Sequence, residues 1–375
     1  MTATHPTRTA TRPHLRTVLD DLVDDRILGV SLHVHDTSGE WAASAGRAAL
    51  DGTAAPSVDT RTRIGSNTKT FTAALVLLLV HEGRLGLDDP AAPHLPGLDL
   101  DPRVTVRMLL QHTSGVFNFT GDADADGAFE QGMPSNYGPA AREWLAARFE
   151  THRPEDLARF ALARTARFEP GTRWSYSNTN YVLLRLIVEN VTGRALGEEM
   201  RRLVIDPLGL SGTSVPDASP DLPEPYARAY FRYEEDGQEQ TVDISRHNPS
   251  WISTGGDMIS TPHDAATFFS ALLGGRLLPA DLVAQMCDPF PTPIPDMGYG
   301  LGVFVQELAD GRTLVTHNGG MAGYATLMYG TPDGSTTMSA ALNCVDDAEM
   351  SVQGAFQKVQ QVLVDAVFQG AAIAP

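Results

Sequence analysis

The chain has 375 residues, of which 42% are hydrophobic and 20% are charged, so it can bury the core of one large domain or two. Its net charge of −18 at pH 7 argues against nucleic acids and anionic membrane surfaces as partners. Two cysteines, Cys287 and Cys344, exclude a disulfide scaffold, and no stretch approaches the roughly 18 apolar residues of a membrane-spanning helix.

The N-terminal segment is polar. Residues 1–16 contain arginines and threonines but no apolar run of signal-peptide length. We therefore expect residues 1–13 to form a flexible tail. We also expect the protein to be cytoplasmic, or secreted if the sequence is a trimmed mature form.

The pattern that follows predicts helices and strands in a definite order. Apolar spacing predicts a helix within 14–27, and alternation predicts strands at 29–35 and 40–45 that form a hairpin. The next helix begins at Ser66. Further helices are expected at 104–112, 140–150, 154–166, 181–192, 195–206, 262–273 and 279–287, with irregular structure at 118–139 and 211–250. Beyond Tyr299, strands are expected at 300–308, 313–316, 323–329 and 336–342, followed by a closing helix at 352–368.

This order of elements predicts the fold class. Strands near both chain ends, with helices between them and one helix at the end, predict an α+β fold in which an antiparallel sheet is flanked by helices and an all-helical region is inserted. We place a discontinuous α/β sheet domain at 14–75 and 280–375. A mostly helical domain is expected at 76–279.

The helix that begins at Ser66 carries the first candidate site. Ser66 and Lys69 are three residues apart, so their side chains share one helix face. Burial of the ammonium lowers its pKa toward the range in which a neutral amine accepts a proton, and a helix start favours a developing anion. This combination is what an acylating serine needs. An ordinary capped helix is the alternative, because Ser-x-x-Lys arises readily by chance in a chain of this size.

The scarcity of lysine favours the functional interpretation. The chain has two lysines, Lys69 and Lys358, and its other basic residues are arginines. Arginine cannot lose its proton to act as a base. A lysine retained three residues after this serine therefore points to chemistry.

Two further clusters stand out. Tyr176-Ser177-Asn178 lies between a Pro-Gly turn and a helix, where its side chains can converge on a pocket. Its alternative is an aromatic anchor with a helix cap. His317-Asn318-Gly319-Gly320 is expected to follow a strand and form a flexible turn rich in N–H groups. Its alternative is a hairpin-end turn with an incidental histidine.

Motifs for cofactors are missing from the sequence. The eleven histidines are scattered without metal-ligand spacing, and there is neither a phosphate-binding loop nor a dinucleotide-binding glycine motif. We therefore expect no metal ion and no organic cofactor.

Together the three clusters resemble the three motifs of the penicillin-recognising serine enzymes, Ser-x-x-Lys, Tyr-x-Asn and (Lys/His)-x-Gly. Their order and spacing match, and the likeness covers most of residues 15–370. It resembles most the branch of class C β-lactamases, actinomycete D-alanyl-D-alanine carboxypeptidases, D-amino-acid peptidases and esterases. A β-lactamase/transpeptidase-like fold is implied. The flanking stretches that share the likeness are Leu109–Gly115, Pro170–Gly171, Ser253–Ser260 and Gly298–Gly302.

The resemblance implies a role for each catalytic residue. Ser66 would be the nucleophile and Lys69 its proton acceptor. Tyr176 would carry the proton to the leaving group, with its hydroxyl polarised by Lys69 and His317. Asn178 would hydrogen-bond the amide of the substrate.

It also implies how a substrate is held. The backbone N–H groups of Ser66 and Gly320 would form the oxyanion hole, and Asn318 and Gly319 would line the site beside them. Trp251 falls where relatives place an aromatic wall of the cleft, with core packing as the alternative.

One departure bears on the substrate. D-alanyl-D-alanine carboxypeptidases of this type carry an arginine just after the Tyr-Gly-Leu-Gly strand, which captures the free carboxylate of the substrate. Here Val303, Phe304 and Val305 occupy that place, and Asn318 and Gly320 stand where those enzymes have threonines. An apolar site rejects a carboxylate. Phe304 is therefore predicted to contact the substrate, and strict carboxypeptidase action is disfavoured.

The predicted function is a serine hydrolase that forms an acyl-enzyme on Ser66 and cleaves amide or peptide bonds of D-amino-acid-containing substrates. The partners expected are small peptide-like or acyl molecules, with β-lactams included. The alternative is an esterase, or an acyltransferase or peptide-cyclising thioesterase of a biosynthetic pathway. A β-lactamase or a non-catalytic penicillin-binding relative is less favoured. The oligomeric state is not predicted.

Overall fold

The computed structural model describes residues 12–123 and 129–368. The predicted tail at 1–13 lies outside the described residues up to residue 11, and the first helix begins at Pro13. The helices are α1 Pro13–Asp20, α2 Asn67–His81, α3 Val106–Gln111, α4 Ala141–Ala147, α5 Pro154–Leu162, α6 Asn178–Thr192, α7 Leu196–Met200, α8 Asp206–Leu208, α9 Pro262–Leu273, α10 Ala280–Met286 and α11 Gln353–Phe368. The strands are β1 Ile27–Asp36, β2 Gly39–Gly46, β3 Thr62–Arg63, β4 Asp122–Ala123, β5 Phe129–Glu130, β6 Tyr230–Glu235, β7 Gln238–Asp243, β8 Ile259–Ser260, β9 Phe290–Pro291, β10 Met297–Tyr299, β11 Phe304–Glu307, β12 Thr313–Met321, β13 Tyr324–Gly330 and β14 Thr337–Asp346.

One sheet organises the molecule. Its strands follow the order β2-β1-β14-β13-β12-β11-β10-β9 and pair in antiparallel fashion. The β6–β7 hairpin joins it through a parallel pairing between β6 and the end of β14. Because β1 lies between β2 and β14, both ends of the chain build the same sheet. The predicted antiparallel sheet with helices around it is confirmed.

The two faces of the sheet bury different layers. Val30, Leu32 and Val34 of β1 point to the face that α1 and α11 cover, where they share a core with Leu15 and Leu363. The residues between them point to the opposite face, against which α9 packs. The larger core lies on the side of α2, α6 and α9.

Helix α2 lies in the middle of the larger core. It is buried along nearly its whole length, since it contacts β12, β13 and α6. Phe71 of α2 stacks on Phe268 of α9, with ring centroids 3.6 Å apart. This packing holds the helix whose first turn carries Lys69.

A β-hairpin lies within the stretch at 211–250 that was predicted to be irregular, so that prediction was wrong. β6 and β7 pair around a turn at Asp236 and Gly237, both with positive φ. Most side chains of β7 are exposed. The hairpin therefore lacks the alternation of apolar residues that identifies a half-buried strand.

The motif at 317–320 was predicted to form a turn after a strand. In the structure it lies within strand β12. β12 pairs with β13 as far as Met321 and Tyr324. The turn itself lies at Ala322 and Gly323, whose φ values are 42° and 78°. Two positive φ values in a two-residue connection are typical of a tight hairpin turn. Such a turn is usually predicted from Asn, Asp or Gly, so Ala322 gave no signal for it.

Two other predicted elements are interrupted. The predicted strand at 300–308 is shortened to β11, because residues 300–303 form the connection from β10. Gly302 has a φ of 81°, and a Cβ there would lie 2.4 Å from the Cβ of Ala73 in α2. Glycine thus allows the strand connection to approach α2. The predicted helix at 195–206 consists of α7, a π-helical turn at Arg201–Ile205 and α8.

The division of the chain into domains stays a prediction. The expected boundary between residues 75 and 76 falls inside α2. Within the described ranges, no helix has both the length and the apolar character to cross a membrane. The expected location in the cytoplasm stays a prediction.

Candidate active site

Ser66 lies at the N-terminal end of α2. It has helical φ and ψ values of −63° and −9°, and its hydroxyl does not cap the helix. Gly65 before it has a φ of 51°, and a Cβ there would lie 2.6 Å from the backbone nitrogen of Gly320. Glycine is therefore required for the start of α2 to approach β12 so closely. The predicted start of this helix at Ser66 is confirmed, since Ser66 is its N-cap.

Lys69 is fully buried one turn after Ser66. Its Nζ lies 2.7 Å from Asn178 Oδ1, 2.6 Å from the carbonyl oxygen of Gly255 and 3.1 Å from Ser66 Oγ. The amide and carbonyl oxygens only accept hydrogen bonds, so they take two Nζ hydrogens and the remaining position faces Ser66. In a neutral amine that position holds the lone pair.

The surroundings of Lys69 favour this neutral form. Burial lowers the pKa of Lys69 well below its ordinary value, and the carboxylate of Asp257 opposes this effect. A neutral lysine whose lone pair faces a serine hydroxyl accepts its proton. Lys69 and Ser66 therefore have the geometry of a base and a nucleophile.

The hydroxyl of Tyr176 completes the surroundings of Ser66 Oγ. It donates a hydrogen bond of 2.8 Å to Ser66 Oγ, and Lys69 Nζ lies 4.7 Å from the centre of the Tyr176 ring. Burial raises the pKa of Tyr176, so the phenol keeps its proton at neutral pH. Ser66 Oγ thus lies between a proton acceptor and a proton donor.

The ring of His112 packs against the ring of Tyr176. Sequence reasoning did not identify His112 as a site residue. Its ring lies 4.4 Å from the Tyr176 ring, centroid to centroid. Its Nδ1 accepts a hydrogen bond from the backbone N–H of Ser177 at 3.2 Å and faces the side-chain amide of Asn180 at 3.1 Å. Burial lowers the pKa of His112 well below its ordinary value, so the ring is neutral. The signal was present in the stretch Leu109–Gly115, which shares the family likeness.

The side chain of Asn178 is engaged at both ends. Its Oδ1 accepts the hydrogen bond from Lys69, and its Nδ2 donates to Thr120 Oγ1 at 3.2 Å. Its backbone N–H donates to Asn118 Oδ1 at 3.0 Å, so the start of the predicted 118–139 loop anchors it. Asn178 orients Lys69 in this structure. The predicted contact with a substrate amide would use the second hydrogen of Nδ2 or the second lone pair of Oδ1.

His317 has other partners than predicted. Its Nδ1 lies 2.8 Å from the carbonyl oxygen of Asn318 and its Nε2 lies 3.2 Å from the hydroxyl of Tyr299. The carbonyl oxygen requires the proton on Nδ1, so Nε2 accepts from Tyr299. Burial is the main cause that lowers the pKa of His317 to about 3, and Lys69 acts in the same direction when it is protonated. Among the described residues His317 makes no hydrogen bond to Tyr176, with ring centroids 6.4 Å apart, which corrects the expected polarisation of that hydroxyl by His317.

Asn318 and Gly319 do not present side chains to this site. The Nδ2 of Asn318 donates to the hydroxyl of Tyr329 and to Gln360 Oε1 on α11, both at 3.2 Å. Because side chains alternate along a strand, Asn318 points to the opposite face from His317. A Cβ at Gly319 would lie 1.9 Å from the carbonyl oxygen of Ile64. Asn318 therefore belongs to the α11 layer and Gly319 allows close packing, which corrects the expectation that they line the site.

The backbone N–H of Gly320 is directed toward the site. Met321 and Tyr324 flank a two-residue turn and so form a hydrogen-bonded pair, and such pairs alternate along antiparallel strands. Gly320 pairs with Ala325 in the intervening position, so its N–H points away from β13. This geometry supports the predicted oxyanion hole, in which the N–H of Ser66 is the second donor.

The two predicted aromatic contacts differ. Trp251 is buried and packs edge-on against Trp144, with ring centroids 5.8 Å apart, which favours the core-packing alternative. Phe304 is partly exposed, and its ring lies 5.4 Å from that of His317 and 4.6 Å from that of Tyr299. Trp174 lies beyond it at 6.3 Å. Phe304 thus forms part of an aromatic wall beside the site.

Asp257 is a charged group that sequence reasoning missed. It is fully buried, and apart from its own backbone neither carboxylate oxygen has a hydrogen-bond partner among the described residues. Burial raises the pKa of Asp257 to about 6, and Arg185 opposes this. Its carboxylate raises the pKa of Lys69. Asp257 therefore adjusts the base without touching Ser66.

Comparison with known proteins places this geometry in a family. The family model described as Beta-lactamase matches residues 15–362, which is most of the chain. The chain belongs to the beta-lactamase family. The resemblance predicted from the three motifs is confirmed, and so is the predicted β-lactamase/transpeptidase-like fold.

Two solved structures are similar to this chain over nearly its whole length. A D-stereospecific amidohydrolase from Streptomyces sp. has a TM-score of 0.82 and 34% identity, covering 97% of this chain and all of that chain. The D-amino acid amidase from Ochrobactrum anthropi SV3, solved with D-phenylalanine, has a TM-score of 0.79 and 25% identity, covering 96% of this chain and 99% of that chain.

The curated relatives are longer proteins. Penicillin-binding protein 4* of Bacillus subtilis (strain 168) is 26% identical over 300 residues, which are 76% of this chain and 61% of the relative. The chain spans less than two-thirds of the length of the first curated relatives that it matches.

Proposed function

We propose that this protein is a serine hydrolase that forms an acyl-enzyme on Ser66 and cleaves amide or peptide bonds in small substrates that contain a D-amino acid residue. The observation that carries the proposal is the position of Ser66 Oγ, 3.1 Å from Lys69 Nζ and 2.8 Å from the hydroxyl of Tyr176. A nucleophile held between a buried amine and a protonated phenol is poised for acyl transfer.

Acylation begins with proton transfer to Lys69. The lone pair of Nζ takes the proton of Ser66 Oγ as that oxygen attacks the carbonyl carbon of the substrate. The negative charge that develops on the carbonyl oxygen is accepted by the N–H groups of Ser66 and Gly320. Removal of one such donor in a serine enzyme costs about 10²–10³ in kcat.

Collapse of the tetrahedral intermediate requires a proton on the leaving nitrogen. Tyr176 supplies this proton, because its phenol is protonated and within hydrogen-bond distance of Ser66 Oγ. Lys69, now an ammonium, returns a proton to Tyr176. Water then attacks the ester carbon, its proton passes to the same pair of groups, and Ser66 Oγ leaves with a proton. General acid–base help of this kind is worth about 10²–10⁴ in rate.

Two features support D-residue amides as the substrate class. The similar structures include a D-stereospecific amidohydrolase and a D-amino acid amidase. In this chain the residues at 303–305 carry no cationic side chain, and Phe304 and Trp174 form a partly exposed aromatic wall. An apolar wall favours an uncharged amide over a free carboxylate.

The same acyl-enzyme also serves the alternatives. An esterase differs only in the leaving group, and an acyltransferase or peptide-cyclising enzyme differs in the acceptor. Partition of the acyl-enzyme between water and an added amine distinguishes hydrolysis from transfer.

The test is hydrolysis of D-phenylalanine amide and L-phenylalanine amide by the purified protein. We expect the D-amide to be cleaved with a kcat/KM at least about tenfold higher, and Ser66→Ala to reduce turnover to background. Ser38→Ala, at an exposed turn, is the matched control and should leave turnover unchanged. Full turnover by Ser66→Ala would refute the mechanism, and cleavage of esters or thioesters alone would favour the esterase alternative.

A further inference from the structure

Two histidines and a glutamate from distant parts of the chain meet on the α9 face of the sheet. One ligand atom each from His33, Glu40 and His263 lies within 4.8 Å of the other two. The rings of His33 and His263 meet edge-on with centroids 5.0 Å apart. The sequence analysis predicted no metal site. His33 and His263 are more than 200 positions apart, so they form no local motif of metal ligands.

The fold explains why these side chains converge. Val30, Leu32 and Val34 of β1 face the α1–α11 core, so the alternation of side chains turns His33 to the other face. Glu40 of β2 stands opposite His35 in the register, one diagonal step from His33. Thr261 caps α9 through its side chain, which places His263 in the first turn of the helix that packs on β1.

His33 has a buried ring nitrogen that is unsatisfied among the described residues. It is only 5% exposed, and its Nδ1 has no hydrogen-bond partner among the described residues. A buried unsatisfied nitrogen of this kind calls for an explanation. Glu40 and His263 are both partly exposed, so the cluster is open to solvent on one side.

His263 is already oriented as a metal-binding histidine usually is. Its Nδ1 lies 3.2 Å from Asp264 Oδ1, and its Nε2 makes no hydrogen bond among the described residues. Asp264 is itself fixed, because its Oδ2 accepts hydrogen bonds from the N–H of Gly212 at 2.7 Å and from Thr213 Oγ1 at 2.9 Å. A carboxylate that holds the second nitrogen of a histidine fixes the ring for a metal ion.

We propose that His33, Glu40 and His263 bind a divalent transition-metal ion, with Zn²⁺ as the ion that suits the donor set and water in the remaining position. Two imidazoles and one carboxylate are a common zinc set, whereas Mg²⁺ and Ca²⁺ prefer oxygen ligands. Bonds of about 2.0–2.1 Å bring tetrahedral ligands to about 3.4 Å from one another. Rotation of the partly exposed Glu40 side chain contributes to that closure.

A bound ion joins the β1–β2 hairpin to the start of α9. β8, which precedes α9 directly, pairs with β3 at Thr62 and Ser260, and β3 leads to the Ser66 segment. The ion therefore stabilises the β3–β8 pairing that precedes the Ser66 segment. It takes no part in the chemistry at Ser66. The inference is independent of the proposed function.

The experiment is a titration of the chelator-treated full chain with ZnCl₂ by isothermal calorimetry. We expect one Zn²⁺ per chain, and we expect the Kd to rise at least about tenfold in Glu40→Gln and in His263→Ala. Exposed His81 provides the matched control, and His81→Ala should bind as the parent does. The visible spectrum of bound Co²⁺ and a Zn²⁺-dependent rise in Tm should disappear in His263→Ala.

Two results would overturn the site. One is the lack of Zn²⁺ binding by the parent chain at concentrations up to about 1 mM. The other is equal Zn²⁺ affinity in the parent, Glu40→Gln and His263→Ala, since the ion would then lie elsewhere. Thermal unfolding without metal shows whether each variant is folded, so a folding defect is separated from a lost ligand.

Discussion

The side-chain oxygen of Asn178 lies 2.7 Å from Nζ of Lys69. This contact orients the amine so that its remaining hydrogen or lone pair faces Ser66 Oγ. The contact joins α6 to the first turn of α2. Because Asn178 is held in turn by Asn118 and Thr120, the base has a rigid partner. This pair makes the protonation state of Lys69 sensitive to charge at position 178.

Asn178→Asp should therefore move the pH profile of the enzyme. A carboxylate next to the ammonium favours its charged form and raises its pKa by about one to three units. The rising limb of kcat/KM should shift to higher pH by a similar amount, with activity at pH 7 reduced. Steady-state profiles from pH 5 to pH 10 measure this shift. Asn190→Asp, at an exposed position of the same helix, is the control, and an unshifted limb in Asn178→Asp would contradict the assignment of Lys69 as base.

Asp257→Asn should act in the opposite direction on Lys69 and also change stability. Loss of the carboxylate lowers the pKa of Lys69 further, so the rising limb should move to lower pH. The folded-state pKa of Asp257 is about 6 against an ordinary value of 3.8, so the folded state binds more protons and stability declines as pH rises through this window.

The stability effect is measured by urea unfolding. Asp257→Asn should be more stable than the parent above pH 6, by at most about 3 kcal/mol, with the difference vanishing below pH 4. Arg185 also pairs with Glu189 and Asp217, so the loss of the Asp257 carboxylate should not leave it without a partner. A variant that is less stable than the parent at pH 8 would show that the buried carboxylate is a net stabilising group.

Acid should destabilise the protein through its buried neutral histidines. The pKa of His317 is about 3 in the folded state against an ordinary value of 6.5. The unfolded state therefore binds more protons between these values, and the free energy of unfolding falls as pH drops through this range, by up to about 1.4 kcal/mol per pH unit for one group.

His317→Gln should reduce that slope. As pH falls from 7 to 4, the free energy of unfolding should decline less steeply in His317→Gln than in the parent. The difference in slope should correspond to about one fewer proton taken up on unfolding. Equal slopes in the parent and His317→Gln would mean that His317 is charged or solvated in the folded state.

Phe304→Arg should change substrate preference. The side chain of Phe304 is partly exposed beside His317, so a guanidinium there can pair with a free carboxylate of a substrate. The ratio of kcat/KM for a D-dipeptide over that for its C-terminal amide should rise at least about tenfold. Phe304→Leu keeps an apolar side chain and should keep the parent ratio. An unchanged ratio in Phe304→Arg would place the substrate terminus away from this wall.

Local spacing was sufficient to predict that the side chains of Ser66 and Lys69 lie together. Ser66 and Lys69 share a helix face because they are three residues apart, and no long-range information is needed for that inference. Strand β1 was predictable for a similar reason, since Val30, Leu32 and Val34 alternate along it. β7 was missed because its exposed side chains leave no such pattern.

The remaining parts of the site depend on tertiary contacts. Asn318 is next to His317 in the sequence. Because successive side chains of a strand point to opposite faces, its side chain points toward α11. The partners of Lys69 come from α6 and from the carbonyl of Gly255, which carries no side chain to recognise. His112 and Asp257 act through burial, and burial is a property of the fold.

The most direct test of the proposed mechanism is intact-protein mass spectrometry after incubation with a fluorescent penicillin. The parent chain should gain the mass of one acyl group, peptide mapping should place that group on Ser66, and Ser66→Ala should remain unmodified. An adduct of equal yield on Ser66→Ala would contradict the assignment of the nucleophile. A parent chain that forms no adduct and hydrolyses neither β-lactams nor D-amino acid amides and esters would contradict the acyl-enzyme itself.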